Sequence, residues 1–230
     1  MNPAVKVIIL AVIFTGVKGT DSTCSRCHRE AVLFQAYSGR SLCREHLVRD
    51  IERRARREVR RQGGLRPCDR VAVLPGGRAA DVALRAFLER HAVGGRLAVH
   101  PLRSTSGESV AVEAAREGCT VFADASVLED AATRILAAVL RGRAVDLLAP
   151  PPPGAARVIR PFVRVPAEEV RLYARWMGGT SFTSSRSEMT SFDCFVSEEL
   201  ERHAGLHPSA PFALARLEDA LLDLAGGEEG

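Results

Sequence analysis

The hydrophobic pattern of the first part of the chain changes from alternation to a four-residue repeat. The stretch AVLFQAYSGRSL alternates between apolar and polar positions, which predicts a β-hairpin with Ser38-Gly39 near its turn. Residues 43–62 instead have an apolar residue at every fourth position, at Leu47, Ile51, Ala55 and Val59. This spacing predicts a helix with one buried stripe, and the pair Gly63-Gly64 is expected to end it.

After Gly64 the chain alternates between short apolar runs and amphipathic segments. The runs RVAVL, RLAVH, CTVFAD and AVDLLAP predict strands at 70–74, 96–100, 119–124 and 144–150. Helices are predicted at 81–91, 107–117, 127–141, 166–177, 194–204 and 211–225. Strands that alternate with helices indicate an α/β fold with a parallel sheet, in which a ligand crevice lies at the carboxyl ends of the strands.

The net charge is concentrated in the predicted long helix. The 230 residues carry a formal charge of +4, and residues 44–62 contain eight arginines and four acidic residues, which accounts for the whole excess. A neutral body with one basic segment indicates a localised anionic partner. We therefore predict that RNA phosphates are bound by Arg49, Arg53, Arg54, Arg56, Arg57, Arg60 and Arg61. The alternative is a solvated helix stabilised by Glu–Arg pairs.

Three cysteines and a histidine have the spacing of a metal site. Cys24-x2-Cys27 is followed after fifteen residues by Cys43-x2-His46. Two such pairs predict a tetrahedral zinc ion in a zinc ribbon, and four protein ligands leave no open position, so the role is structural. The other cysteines have no motif spacing and are expected to be buried small apolar side chains: Cys68, Cys119 and Cys194.

These motifs in this order resemble a known family. The two knuckles, the segment YSGRSLCREH, the arginine-rich helix and the strand leading into a Gly-Gly loop are similar to the TtuA/TtcA-like tRNA 2-thiouridine synthetases, in their archaeal-type branch with an N-terminal zinc ribbon. DASVLEDAATRILAAVLRG and VIRPFVRVPAEEVRLYARWMG resemble two further family segments. The resemblance covers most of residues 24–200. It implies a Rossmann-like PP-loop domain of the adenine nucleotide alpha hydrolase-like type, tRNA as partner and ATP-dependent sulfur transfer.

The chain departs from this family at the ATP loop. The family loop Ser-Gly-Gly-x-Asp-Ser corresponds here to PGGRAA, in which Pro75 has neither an N–H group nor a hydroxyl. Ala79 and Ala80 replace an acid and a hydroxyl. Each lost charge-assisted hydrogen bond is worth about 1.5–3 kcal/mol, so binding of magnesium-ATP is expected to be weak. The residual nucleotide-binding candidates are Gly76, Gly77 and Arg78, with Glu129 and Asp130 for magnesium.

Glu129 and Asp130 have a second interpretation, as ordinary acids in the first turn of a helix, which the helix dipole favours. The sulfur chemistry of the family is also incomplete, because its central CxxC and its later Cys-Pro are both absent from this chain. No iron–sulfur cluster is therefore predicted, and no catalytic residue is assigned.

The predicted domains are an N-terminal extension (1–20), the zinc ribbon (21–46), the basic helix (47–64), a degenerate PP-loop domain (65–177) and a C-terminal loop with helices (178–230). The apolar run of the extension is too short to span a bilayer as a helix. We interpret the extension as a loosely attached segment or a start site assigned too early; a signal peptide or an added strand are the alternatives.

The sequence thus predicts a cytoplasmic, tRNA-binding and catalytically degenerate homologue that acts as a scaffold or partner in tRNA modification. Candidate protein partners are an active paralogue, a sulfur-carrier protein or a second copy of the chain, and no membrane partner is expected. Two alternatives stay open. One is an active ATP-dependent tRNA sulfurtransferase with a rearranged site; the other is a zinc-stabilised protein-interaction module.

Overall fold

A computed structural model of the protein describes residues 23–91, 98–102, 110–178, 182 and 190–226. The predicted extension at 1–20 lies outside these residues. The chain divides into two compact units, Met1–Arg49 and Asp50–Gly230. Within the described ranges, no helix is both long enough and apolar enough to cross a membrane.

The first unit contains the predicted hairpin. Strand β1 (Leu33–Gln35) pairs with the antiparallel strand β2 (Arg40–Leu42). Gly39 closes the turn with φ of 65°, and its N–H donates to the carbonyl of Gln35 at 2.9 Å. Glycine suits this position because a Cβ would make the left-handed conformation unfavourable.

Helix α1 (Arg44–Arg61) follows the hairpin directly, and the boundary between the two units falls within it. The predicted apolar stripe is confirmed, since all four of its residues are buried: Leu47, Ile51, Ala55 and Val59. The helix ends as the sequence predicts. Gly64 has φ of 70°, and its N–H donates to the carbonyl of Val59 at 2.8 Å, which is a helix termination that favours glycine.

The second unit is built on a four-stranded parallel sheet. Its strands are β3 (Arg70–Val73), β4 (Ala98–Pro101), β5 (Val121–Ala123) and β6 (Arg157–Ile159), in the order β4-β3-β5-β6. The central strands β3 and β5 supply the most deeply buried residues of the sheet. From β3 the chain adds β4 on one side, and β5 and β6 lie on the other side, so the direction of strand addition reverses between β3 and β5. The carboxyl ends of these two strands therefore flank the crevice where open α/β sheets bind ligands.

The described residues of this unit also form six helices: α2 (Ala79–His91), α3 (Val110–Arg116), α4 (Leu128–Leu140), α5 (Ala167–Met177), α6 (Ser191–Leu206) and α7 (Ala210–Gly226). Helix α2 packs against α5, and α4 packs against α6 and α7. Between α2 and α5 the ring of Phe162 lies 5.7 Å from that of Phe87 and 6.2 Å from that of Tyr173. The predicted α/β class, with a parallel sheet and C-terminal helices, is confirmed.

One predicted strand is wrong. AVDLLAP forms a 3-10 helix, Ala144–Leu148, and Val145 is 71% exposed. The fourth strand is β6, which pairs with the free edge of β5. A short apolar run forms a strand only where the edge of a neighbouring strand is available for hydrogen bonding. This tertiary requirement overrides the local β propensity of the sequence.

The three cysteines outside the metal motif lie in different surroundings. Cys119 is buried in the cluster around Ala72 and Phe122, as predicted. Cys68 is exposed, so the expectation of burial is wrong for it, and Cys194 is half-buried.

Candidate functional site

The four predicted metal ligands come together in the first unit. Cys24 and Cys27 lie on a tight turn in which the N–H of Cys27 donates to the carbonyl of Cys24 at 3.2 Å. Cys43 ends the hairpin, and His46 lies in the first turn of α1. All four ligand atoms lie within 4.8 Å of one another, which makes a Cys3His metal-binding group.

The spacing of these atoms suits one tetrahedral ion. The Sγ atoms of Cys27 and Cys43 are 3.7 Å apart, and His46 Nδ1 lies 3.3–3.5 Å from the three sulfurs. Zinc with bonds of about 2.3 Å to sulfur and about 2.0–2.1 Å to nitrogen would place its ligand atoms about 3.6–3.8 Å apart. The observed set is therefore close to the geometry that metal binding requires.

Cys24 is also prepared for metal binding by its surroundings. Burial opposes its ionisation, but hydrogen bonds from the backbone N–H groups of Cys43, Arg26 and Cys27 outweigh burial and lower the pKa of the Cys24 thiol to about 6. The thiolate is the form of cysteine that binds metals.

In the second unit, the Gly-Gly loop between β3 and α2 is occupied by a carboxylate. Asp81 Oδ2 accepts a hydrogen bond from the backbone N–H of Arg78 at 3.1 Å. The guanidinium of Arg78 donates to both carboxylate oxygens, at 3.3 and 3.1 Å. A Cβ on Gly76 would stand 1.9 Å from Asp81 Oδ2, so the carboxylate fills the space beside this glycine.

Arg78 lies among carboxylates. Its burial opposes its charge, but the bonds to Asp81 and the charges of Asp130 and Asp124 outweigh burial and raise the pKa of Arg78. The single cation that the loop retains is thus already neutralised by Asp81, and its positive charge is not available in full to a phosphate.

The loop after β5 carries a second set of polar contacts. Asp124 accepts hydrogen bonds from the backbone N–H of Ser126 at 3.1 Å and from its hydroxyl at 2.8 Å. Arg160, which follows β6, donates to Asp124 at 3.1 Å. The carboxyl ends of β5 and β6 are therefore joined by an ion pair.

Glu129 and Asp130 both act as helix caps. Glu129 Oε2 accepts the backbone N–H of Ala167 at 2.8 Å, at the start of α5. Asp130 Oδ2 accepts the backbone N–H of Val127 at 3.0 Å, at the start of α4. Burial raises the pKa of Glu129 to about 7, although the Ala167 N–H lowers it. These contacts favour the first-turn interpretation of the two acids.

A cavity of about 1050 Å³ lies at the carboxyl ends of the strands. It is lined by three of the predicted nucleotide ligands, Arg78, Glu129 and Asp130, together with Asp124 and Ser126. Gly76 and Gly77 are half-buried in the loop just before Arg78. The cavity is large enough for a nucleotide.

The seven predicted RNA-binding arginines differ in exposure and in ion pairing. Arg54 is half-buried; it pairs with Asp50 and Glu169 and donates to the carbonyl of Arg164 at 3.3 Å. Arg61 is exposed but pairs with Glu58 and Asp219. The other five are exposed: Arg49, Arg53, Arg56, Arg57 and Arg60. Arg49 pairs with Glu45 and Arg53 with Asp50.

Sequence analysis missed Asp81, Asp124 and Arg160. The signal for Asp81 is its place three residues after Arg78, where an acidic side chain reaches back to the first backbone N–H of a helix. Asp124 directly follows a buried strand, which places it at the ligand-binding edge of the sheet.

Comparisons with known proteins agree with this architecture. Residues 23–48 match the family model of the N-terminal LIM domain of the 2-thiouridine synthetase TtuA. The fold is similar to that of the U34-tRNA thiolase NcsA from Methanococcus maripaludis, solved with its [4Fe-4S] cluster. That match has a TM-score of 0.74 at 15% identity and covers 89% of each chain. No curated protein matches the sequence.

The chain therefore combines a Cys3His metal-binding group, in the segment that matches the TtuA N-terminal domain, with an α/β fold similar to that of NcsA. The two matches confirm the resemblance to the TtuA/TtcA-like family, through the N-terminal module in one case and through the fold in the other.

The three cysteines outside the Cys3His group differ in exposure. Cys68 is exposed, Cys119 is buried in the core and Cys194 is half-buried. Among the described residues, the Cys3His group is the one set of three or more potential ligands close enough to share an ion.

Proposed function

We propose that this protein binds tRNA and takes part in tRNA modification as a catalytically degenerate homologue of the ATP-dependent 2-thiolation enzymes, acting as a scaffold or partner. The role in tRNA modification is supported by the similarity of the chain to the 2-thiouridine synthetase TtuA and to the U34-tRNA thiolase NcsA. The loss of catalysis is our inference from the second unit.

The position of Asp81 carries the proposal. A nucleotide phosphate bound by the loop would need the backbone N–H of Arg78 and the guanidinium, and both already donate to Asp81. The carboxylate is also a fixed negative charge beside the place where the phosphate would lie, and like charges in a partly buried site repel strongly. Asp81 therefore acts as an internal substitute for the phosphate.

The chemistry of the thiols supports the same conclusion. Sulfur transfer through a cysteine requires an accessible thiolate near the reacting atoms. Cys119 is buried in the core, where burial raises its pKa, and no cysteine is among the described residues that line the cavity. A protein that lacks both the phosphate ligands and a placed thiolate is suited to binding rather than to catalysis.

For the Cys3His group we propose a single structural zinc ion. Ligand atoms within 4.8 Å of one another leave room for one ion, whereas a cluster of four irons and four sulfides needs its ligands much further apart. Four protein ligands also fill the coordination sphere of zinc, as in structural sites. Three cysteines held as thiolate ligands are typical of a reducing compartment, which supports a cytoplasmic location.

For tRNA, we propose that the exposed arginines of α1 bind the phosphate backbone. Three of the four acidic residues of this segment are buried: Asp50, Glu52 and Glu58. The outer surface of α1 is therefore more positive than the formal charge of the segment indicates. This weakens the alternative of a solvated helix balanced by Glu–Arg pairs.

The test is the affinity of the zinc-loaded protein for a transcribed tRNA across a salt series. We expect the logarithm of the affinity to fall with the logarithm of salt by about 0.7–0.9 for each phosphate neutralised. Absence of tRNA binding at low salt would contradict the proposal and would favour the protein-interaction module.

The large cavity favours a second candidate function, an active ATP-dependent tRNA sulfurtransferase with a rearranged site. In that case Arg78 would have to leave Asp81 to reach a phosphate, and Glu129 and Asp130 would have to leave their capping positions to bind magnesium. A rise in melting temperature with magnesium-ATP, and tRNA thiolation in the presence of a sulfur donor, would support this candidate.

A further inference from the structure

The outer surface of α1 has an unusual composition. Every exposed position of this helix is an arginine: Arg44, Arg49, Arg53, Arg56, Arg57, Arg60 and Arg61. Helix surfaces in soluble proteins normally mix both signs of charge. The acidic residues of α1 instead lie mostly on its buried side.

Four of these residues, all in the second unit, make one continuous surface that we name the arginine face: Arg53, Arg56, Arg57 and Arg60. At 3.6 residues per turn they lie within a sector of about 100° and extend along about 10 Å of the helix. Within the described part of the chain, Arg56, Arg57 and Arg60 have no ion pair.

We propose that the arginine face docks on the sugar–phosphate backbone of a double-stranded RNA stem, without reading its sequence. This inference rests on the proposed function and narrows it to one structural element of RNA. Guanidinium groups match phosphate geometry, since each presents two parallel N–H donors.

The composition of α1 argues against recognition of unpaired bases. Proteins that bind single-stranded RNA stack its bases on aromatic side chains. Helix α1 contains no Phe, Tyr or Trp. The exposed aromatic residues of the described chain are Phe192 and Phe195, which lie on α6.

The geometry of the arginine face favours a duplex. Two strands give a duplex about twice the charge per unit length of one strand, so several arginines on a rigid helix meet phosphates at once. An A-form stem is also preorganised, whereas a single strand must lose conformational freedom on binding. Because the major groove of such a stem is deep and narrow, a helix meets its phosphates rather than its base edges.

The experiment compares two probes at equal phosphate number, using the full-length protein with its metal. One probe is a blunt RNA duplex of roughly one helical turn, and the other is an unstructured polyuridine strand. The test variant replaces Arg56, Arg57 and Arg60 by Gln. The matched control replaces three exposed arginines outside α1, Arg85, Arg171 and Arg175, by Gln, with the same change in net charge.

We expect the wild-type protein to bind the duplex at least about tenfold more tightly than the strand, with little change when the duplex sequence is scrambled. The test variant should lose about tenfold or more in duplex affinity, and its salt slope should fall by about two to three, whereas the control keeps most of both. Equal or tighter binding of polyuridine, or equal losses in test and control variants, would overturn the stem assignment and leave tRNA binding intact. If the protein binds neither of the two probes nor tRNA, the proposed function itself is overturned.

Discussion

The carboxylate of Asp81 lies in the space that a side chain at Gly76 would need. A Cβ on Gly76 would stand 1.9 Å from Asp81 Oδ2. The same oxygen accepts the backbone N–H of Arg78 at 3.1 Å. The loop therefore keeps its glycine and its anion-binding N–H, but the anion that it binds belongs to the protein.

This relationship predicts strong coupling between the two positions. Gly76→Ala should cost about 1–3 kcal/mol of unfolding free energy, because the carboxylate has to leave its cap. Asp81→Ala alone should cost about 0.5–2 kcal/mol. With Asp81 replaced, Gly76→Ala should cost little, which gives a coupling energy of about 0.5–3 kcal/mol in a double-mutant cycle measured by urea unfolding.

Gly205 supplies the control for this cycle. It lies in α6, has an ordinary φ and has no atom near the position of a Cβ, so Gly205→Ala should raise stability by about 0.5–1 kcal/mol. Additive effects of Gly76→Ala and Asp81→Ala would contradict the contact between these residues.

Loss of one metal ligand should unfold the first unit. Structural zinc contributes about 10–16 kcal/mol to the folding of a small module of this kind. Cys24→Ser should therefore abolish stoichiometric metal and disorder the hairpin, as measured by metal analysis and by NMR of the β1–β2 amides. Cys68→Ser, at an exposed cysteine outside the cluster, should keep one metal ion per chain. Full metal content in Cys24→Ser would refute the ligand assignment.

Stability should depend on pH through Glu129. Its pKa is raised from 4.5 to about 7, mainly by burial. Between these values the folded protein keeps a proton that the unfolded chain has lost, so stability falls as pH rises through this window. Glu129→Gln keeps the acceptor for the Ala167 N–H and removes the titration. Relative to wild type, the variant should gain about 1–3 kcal/mol between pH 5 and pH 8.

The control for this effect is Glu168→Gln, whose side chain is 62% exposed and should show no such gain. If the unfolding free energies of wild type and Glu129→Gln change in parallel with pH, the pKa of Glu129 is not raised in the folded protein.

Substitution of two neighbouring arginines of α1, Arg53 and Arg54, should have different effects on the free energy of unfolding. Arg54 pairs with Asp50 and with Glu169, which is 2% exposed, so Arg54→Ala removes a cation that both of these buried carboxylates contact. Such losses cost about 3–5 kcal/mol. Arg53 is exposed, and Arg53→Ala should change stability by no more than about 0.5 kcal/mol. Similar unfolding free energies of the two variants would place Arg54 on the outer surface after all.

The sequence predicted the features of this protein that depend on local spacing. The Cys3His ligands and the apolar stripe of α1 belong to short motifs whose geometry follows from a turn or a helix, so residue spacing was enough. The resemblance to one family likewise rests on short motifs of residues that are close together in the sequence.

Features that depend on tertiary partners were missed. Strand β6 exists because β5 offers a free edge, whereas the more apolar AVDLLAP has no such edge and forms a 3-10 helix. The contact of Asp81 with Gly76 depends on the path of the loop, and the burial of Asp50 and Glu58 depends on the tertiary surroundings of α1. No periodicity in the sequence reports these relationships.

Calorimetry of magnesium-ATP binding to the purified, metal-loaded protein decides whether the loop at 75–80 still serves a nucleotide. Asp81 occupies this loop, and Pro75, Ala79 and Ala80 stand where the family has phosphate-binding or acidic side chains. We therefore expect no heat of binding at millimolar nucleotide. This result would mean a Kd weaker than about 1 mM, or a binding free energy weaker than about −4 kcal/mol. A micromolar Kd would contradict the assignment of a degenerate loop and would favour the active sulfurtransferase, which a tRNA-thiolation assay would then test.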